Sequence, residues 1–78
     1  MKVHDRQFEF LVASNLEPDE MNLELWELRG GKRVMVAEVS YAEGDGSMTF
    51  RAYERDIPFE VVEQLVETAR LRLPPMEA

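Results

Sequence analysis

The sequence predicts an α+β domain, a four-stranded antiparallel β-meander with one C-terminal helix packed on one face, in the order ββββα. Stretches rich in β-branched and aromatic residues recur between residues 6 and 55, each bounded by turn-forming residues. Gly30–Gly31 and Gly44–Gly46 flank one such stretch, Val34–Tyr41, which indicates the shared strand of two consecutive hairpins. After Pro58 the apolar residues recur every three or four positions, the spacing of an amphipathic helix.

Four strands are predicted from their alternation and boundaries. The first runs from Arg6 to Ala13, where aromatic and aliphatic residues occupy every second position. The second runs from Asn22 to Arg29 and reaches the third, Val34–Tyr41, through a turn centred on Gly30–Gly31. Both glycines tolerate the positive φ that a type I′ turn needs. The fourth strand runs from Met48 to Arg55.

The two turns also predict which residues share a face of the sheet. Counting outward from Gly30–Gly31 pairs Leu25 with Val36. Counting from the second turn pairs Tyr41 with Phe50. One face then carries Trp26, Met35, Ala37, Val39, Tyr41, Met48, Phe50 and Ala52, joined by Phe8, Phe10 and Val12 of the first strand. The opposite face carries Leu23, Leu25, Glu27, Val34, Val36, Glu38 and Ser40.

The helix is predicted to begin at or near Pro58, with the Asp56 carboxylate close enough to accept hydrogen bonds from its free amides. Pro74–Pro75 is expected to end it. Since one helix covers one sheet face, we expect it to cover the more apolar face, which contains Trp26. The predicted contact stripe, flanked by Val61 and Leu65, consists of Phe59, Val62, Val66, Ala69 and Leu73.

Composition and net charge limit the classes of function that the sequence favours. The 78 residues make one domain, 1–78, with a formal net charge of −7. This sign disfavours nucleic acid and anionic membranes as partners. There is no cysteine, which fits a reducing compartment, and no apolar run approaches the roughly 20 residues needed to span a bilayer. We therefore expect a cytoplasmic protein.

No residue pattern predicts catalysis, a metal or a cofactor. The only histidine, His4, lies on a terminus expected to fray. Glu43–Gly46 is weighed as a calcium loop, but a hairpin turn explains its glycines and aspartate better. Glu38 is the nearest candidate for an acid or base, and a cross-strand ion pair with Arg51 is its simpler explanation. We expect no enzyme activity.

The face predicted to remain open is more apolar than a solvated sheet face normally is. Contiguous exposed aliphatic residues mark interfaces, so we expect this face to bind a partner, with a homodimer stacked about Val36 as the simplest version. The alternative is that Arg51 and Arg55 shield the aliphatic residues. The candidate interface residues are Leu23, Leu25, Val34, Val36, Glu38, Arg51, Tyr53 and Arg55.

A second candidate surface is the segment from Ser14 to Glu20, which collects turn residues and the acids Glu17, Asp19 and Glu20. Three carboxylates on a loop suit a basic protein partner, because opposite charges accelerate association.

Two resemblances accompany these patterns. The ββββα order is similar to that of PUR-repeat and Whirly-type domains, which implies single-stranded nucleic-acid binding by Arg51, Tyr53 and Arg55. The stretches 37–41, 44–50 and 57–62 look like those of small bacterial proteins, among them immunity proteins of polymorphic toxin systems, which implies an inhibitor of a basic partner. We expect a non-catalytic protein-interaction module; the alternative is the nucleic-acid binder.

Overall fold

The computed structural model describes residues 1–15 and 20–73. It confirms an α+β architecture, an antiparallel meander followed by one C-terminal helix, with five strands in chain order rather than four. The elements are β1 (Lys2–Val3), β2 (Arg6–Asn15), β3 (Glu20–Arg29), β4 (Lys32–Ala42), β5 (Met48–Ala52) and α1 (Phe59–Arg72).

The additional strand is the N-terminus itself. Lys2 pairs with Gln7 across a tight turn in which His4 has a φ of 56°. The terminal amino group donates a hydrogen bond of 2.8 Å to the carbonyl oxygen of Phe8, which fixes the first residue onto β2. The expectation of a frayed terminus was therefore wrong, because β1 satisfies backbone groups at the edge of β2.

The β3–β4 hairpin keeps the predicted register next to its turn and departs from that register farther along the strands. Gly30 and Gly31 have φ values of 55° and 80°, as the predicted two-residue turn requires. Trp26 pairs with Met35 as predicted, but the register shifts at the next position of β3, where Leu25 pairs with Ala37. The chain therefore places one extra residue, Val36, in β4, which is a β-bulge.

Because of the bulge, β3 and the start of β4 present to the helix the face opposite to the predicted one. Leu23 and Leu25 are fully buried and share the core with Val39, whereas Trp26 lies on the opposite face of the sheet. Val36 is also fully buried. The predicted split between the two faces was therefore wrong for β3 and for Val34, Met35 and Val36. The buried core consists of Phe8, Leu23, Leu25, Val36, Ala37, Val39, Val61, Leu65, Ala69 and Leu73.

The β4–β5 hairpin keeps the predicted face with a different register. Tyr41 pairs with Met48 and Val39 pairs with Phe50, two residues away from the predicted partners on β5. A slip of two residues preserves side-chain direction because side chains alternate with a period of two. Met48, Phe50 and Ala52 therefore do share a face with Val39.

The helix begins at Phe59 with Pro58 as its N-cap residue, close to the predicted start. No side chain caps this end, so the predicted role of Asp56 was wrong. The buried stripe is Val61, Leu65, Ala69 and Leu73, spaced by four residues. Two members of the predicted stripe instead face solvent: Phe59 is 70% exposed and Val66 is 40% exposed.

The helix covers only part of the sheet. Four strand spacings of about 4.8 Å make a five-stranded sheet roughly 19 Å wide, and a helix with its side chains is about 10–12 Å across. The helix packs against β3, whereas every residue of β5 is exposed. The half of the sheet nearest β5 therefore presents its apolar face without a helix above it.

Candidate functional site: an apolar groove beside β5

A groove of about 370 Å³ runs between α1 and the edge of the sheet. Its sheet side comes from β4 and β5 and its other side from the helix. The apolar residues that line it are Val39, Met48, Phe50, Val62, Val66 and Ala69. The groove exists because the helix turns Val61 and Leu65 towards the core and leaves the neighbouring apolar positions beside β5.

Three of the groove residues are exposed apolar side chains. Phe50 is 50% exposed, and Met48 and Val66 are each 40% exposed. Phe59 extends the same surface along the helix and is the most exposed aromatic residue of the described chain. Clustered aliphatic and aromatic side chains in water typically mark a surface that a partner covers.

Strand β5 gives the groove an open backbone edge. It pairs with β4 on one side, and across the described ranges 1–15 and 20–73 no strand pairs with its other side. The amide of Tyr53 donates a 2.9 Å hydrogen bond to the carbonyl oxygen of Val36, which holds the strand's end against the bulge. Unpaired edge groups are able to pair with another chain.

Charged residues border the groove on the helix side. Glu63, Glu67 and Arg70 are exposed on the face of α1 that continues from Val66. Within the part of the chain that the structure describes, none of the three forms a salt bridge. These charges are therefore available to a partner that occupies the groove.

On the opposite face of the sheet, Glu38 contacts two polar residues. It forms a salt bridge of 3.4 Å with Arg51, its direct cross-strand partner, and accepts a hydrogen bond from the hydroxyl of Tyr53. That hydrogen bond raises the pKa of Tyr53. Arg51 also donates to the hydroxyl oxygen of Ser40 at 3.2 Å. The predicted Arg51–Glu38 pair is confirmed, and a phosphate would have to compete with this carboxylate.

Trp26 lies on the same polar face. The guanidinium of Arg33 sits 5.2 Å from the centre of its ring, and its indole nitrogen donates a 3.0 Å hydrogen bond to Glu24. Arg33 also forms a 3.3 Å salt bridge with Glu9. An arginine thus already occupies one side of the ring, where a nucleic-acid base would stack.

A nearly buried carboxylate holds the far end of the sheet. Glu27, with 5% of its side chain exposed, accepts hydrogen bonds of 2.9 Å from Nε and Nη2 of Arg6 and of 2.8 Å from Nη2 of Arg29. These bonds, chiefly those from Arg6, lower the pKa of Glu27 to about 2. Arg6 also donates to the backbone carbonyl of Asp56, and Arg29 pairs with Glu54. The network fixes the connection between β5 and α1.

The predicted interface residues are dispersed rather than brought together. Leu23, Leu25 and Val36 lie in the core, and Val34 is half-buried against it, so their predicted exposure was wrong. Arg55 is exposed after the end of β5. Glu38, Arg51 and Tyr53 remain on the polar face, as described above. Of the predicted acidic loop, Glu17 and Asp19 lie outside the described residues, and Glu20 begins β3.

Sequence reasoning placed Phe50 and Val66 in the core and so missed the groove. The available signal was geometric, because one 14-residue helix is too narrow to cover a sheet of four or more strands. The prediction also assumed a single line of apolar residues along the helix, although α1 carries two adjacent lines of them.

Family models, curated proteins and solved structures yield no match to this chain. Among residues 1–15 and 20–73, no helix is long and apolar enough to cross a bilayer. The same ranges contain no cluster of three or more histidine, aspartate or glutamate side chains placed to hold a metal ion.

Proposed function

We propose that this chain is a non-catalytic protein-interaction module and that the groove between β5 and α1 is its binding surface. The observation that carries the proposal is the exposure of Phe50 and Val66 on opposite walls of one apolar groove. A protein partner that fills the groove removes both side chains from water, which favours association by about 25 cal/mol for each Å² of apolar surface covered.

The surroundings of the groove support a protein partner rather than a reacting substrate. Its lining is aliphatic and aromatic, with Thr49 and Arg70 as the polar members. The carboxylate that the sequence offered as an acid or base, Glu38, lies on the other face and is bound by Arg51 and Tyr53. A reaction site needs convergent polar groups, and the groove supplies surface for packing.

The charge at the rim favours a partner with basic side chains beside its apolar segment. Glu63 and Glu67 border the groove, and the chain as a whole carries a net charge of −7. An inhibitor of the immunity-protein type, acting in the cytoplasm on a basic protein, fits this charge and the absence of cysteine.

Photo-crosslinking in the cells that produce the protein tests the proposal. A photoreactive phenylalanine analogue replaces Phe50 in the groove or, as the matched control, Tyr53 on the polar face; the two side chains are 50% and 54% exposed. We expect a protein adduct from position 50 that is stronger than any adduct from position 53. Adducts of equal strength at both positions, or none at position 50, would refute the groove as the binding surface.

A further inference from the structure

We infer that the partner contributes an extended basic segment, which pairs with the open edge of β5 as a further strand and places alternate side chains over the groove. This inference rests on the proposed function and adds the conformation and chemistry of the bound segment. A strand satisfies two features of the surface at once, the backbone edge of β5 and the apolar groove beside it. A helix in the groove would cover the apolar surface alone.

Hydrogen bonds at the two ends of β5 show which of its backbone groups point outward. The carbonyl oxygen of Ser47 accepts a 2.9 Å hydrogen bond from the amide of Ala42, and the amide of Tyr53 donates one of 2.9 Å to Val36. In an antiparallel pair, the residues that bond to the neighbouring strand alternate with residues that do not. Every second residue from Ser47 to Tyr53 therefore bonds to β4. The residues between them direct their N–H and C=O groups to the open edge: Met48, Phe50 and Ala52.

The residues with outward backbone groups also face the groove. Met48 and Phe50 line it, and Phe50 lies directly opposite Val39, another lining residue. In a strand paired with β5, the residue directly opposite Phe50 points its side chain to the same face of the sheet. Every second side chain of the bound segment therefore lies over the groove, on the side where Val66 of α1 is exposed. Backbone pairing and apolar burial thus use the same register.

The two edges of the sheet differ in their protection against a further strand. On one side the sheet ends in β1, which has only two residues, Lys2–Val3. Very short edge strands and lysine side chains oppose pairing with another chain. On the other side β5 has five residues, Met48–Ala52, all exposed and with neither proline nor lysine among them. Of these two edges, β5 is therefore the one suited to accept a strand.

The charges beside the groove determine the chemistry of the segment. Glu63 and Glu67 are exposed on the outer side of α1, next to Val66. Within the described ranges neither carboxylate forms a salt bridge, and Arg70 is the only cation among the residues that line this surface. A lysine or arginine of the added strand would pack its aliphatic stem on Val66 and bring its charge to these carboxylates. The segment therefore carries basic residues as well as aliphatic ones.

A proline at position 52 tests strand addition, with the photoreactive phenylalanine analogue at position 50 as the probe in the producing cells. Ala52→Pro removes an outward amide and leaves the ladder to β4 intact, because an edge strand tolerates proline where the N–H faces solvent. Ala52→Val keeps the amide and is the matched control. We expect proline to lower the adduct yield about 10-fold and valine to change it by less than about 2-fold.

Charge reversal tests the basic character of the segment in the same assay. Glu63→Lys should lower the adduct yield by about 3-fold or more, because it replaces an attraction with a repulsion. Asp5→Lys, the same charge change in the exposed turn after β1, is the control and should leave the yield unchanged. Mass spectrometry of the adduct should identify a segment that contains lysine or arginine next to aliphatic residues.

The outcomes separate this inference from the proposed function. Circular dichroism confirms that each variant is folded; if Ala52→Pro is not, Met48→Pro and Met48→Val, at the first residue of β5, replace the pair. An adduct that survives the proline in a folded variant would overturn strand addition and leave the groove as the binding surface. A crosslinked segment without basic residues, or one from a second copy of this chain, would overturn the proposed chemistry. If position 50 gives no adduct at all, both proposals fail.

Discussion

Leu25 pairs with Ala37, one residue beyond the partner that the Gly30–Gly31 turn would assign to it. The extra residue, Val36, is fully buried and lies in the core cluster with the helix residues. A single bulge thus decides which face of β3 the helix covers. Leu23 and Leu25 enter the core because of it, and Trp26 leaves the core.

Deleting Val36 tests this role. Without the extra residue Ala37 follows Met35 directly, so the pairs Trp26–Met35 and Leu25–Ala37 form an unbroken ladder, and Leu23 and Leu25 still face the helix. We expect the deletion variant to unfold cooperatively in a urea titration followed by circular dichroism. Val36→Ala, which keeps the bulge and removes two methyl groups, should also unfold cooperatively, with a loss of about 2 kcal/mol. A deletion variant that loses cooperative unfolding would contradict the bulge, because in a ladder without a bulge the deletion would turn the residues beyond it to the other face of the sheet.

The orientation of the helix makes a second prediction, which compares two leucines of α1. Leu65 is fully buried and Leu71 is 73% exposed. Leu65→Ala should lower the free energy of unfolding by about 2–5 kcal/mol, whereas Leu71→Ala should change it by less than about 0.5 kcal/mol. Urea denaturation of dilute protein measures both. Equal losses for the two variants would show that the helix is rotated differently on the sheet.

The carboxylate of Glu27 predicts an acid-dependent loss of stability. Its pKa falls from an ordinary value of 4.5 to about 2 in the folded protein, through hydrogen bonds from Arg6 and Arg29. A lowered folded-state pKa adds stability above the unfolded pKa and loses it as the pH falls towards the folded value. The contribution, roughly 2–3 kcal/mol, should therefore disappear between about pH 4.5 and pH 2.

Glu27→Gln separates this group from the other acids. The variant should be less stable than wild type at pH 7, and the difference should shrink as the pH falls from 4.5 towards 2, because wild-type Glu27 becomes protonated there. Glu24→Gln, on the opposite face of the same strand, is the control. A difference between wild type and Glu27→Gln that is constant from pH 7 to pH 2 would argue against a pKa near 2.

The hairpin turn predicts a glycine requirement that depends on backbone conformation rather than space. No atom lies within 4 Å of a β-carbon built on Gly31, yet its φ is 80°. Gly31→Ala should therefore cost about 1–2 kcal/mol through the left-handed conformation alone. Gly44→Ala is the matched control: it too meets open space, without a positive φ, and should be neutral or slightly stabilising. Thermal unfolding that shows no difference between the two would contradict the turn geometry.

The strands, the turn and the helix could be predicted from local sequence patterns, but the way in which they pack against one another could not. The alternation of side chains in β2 predicts a strand, and Gly30 and Gly31 predict a turn. Both signals depend only on residues that are close in the sequence. The bulge has no such signal, because Met35, Val36 and Ala37 are all apolar and suit either face. Its position reflects the burial of Val36 in the core cluster, which local sequence does not encode.

The candidate site was missed for the same reason. Val61 and Leu65 form one apolar line on α1, and Phe59, Val62 and Val66 form another. Both lines satisfy helical periodicity, so the pattern does not decide which line packs on the sheet. Because the line with Val61 and Leu65 packs on the sheet, Phe50 lies in the wall of an open groove and not in the predicted core.

Thiol labelling of single-cysteine variants tests the central claim, that Val36 at the bulge is buried in the core and that Phe50 is open to a partner. The chain has no cysteine, so Val36→Cys and Phe50→Cys each carry one thiol. In dilute protein the Phe50→Cys thiol should react nearly as fast as in urea-unfolded protein. The Val36→Cys thiol should react at least 100-fold more slowly, since it must await unfolding. Rapid labelling at position 36 together with protection at position 50 would contradict the account.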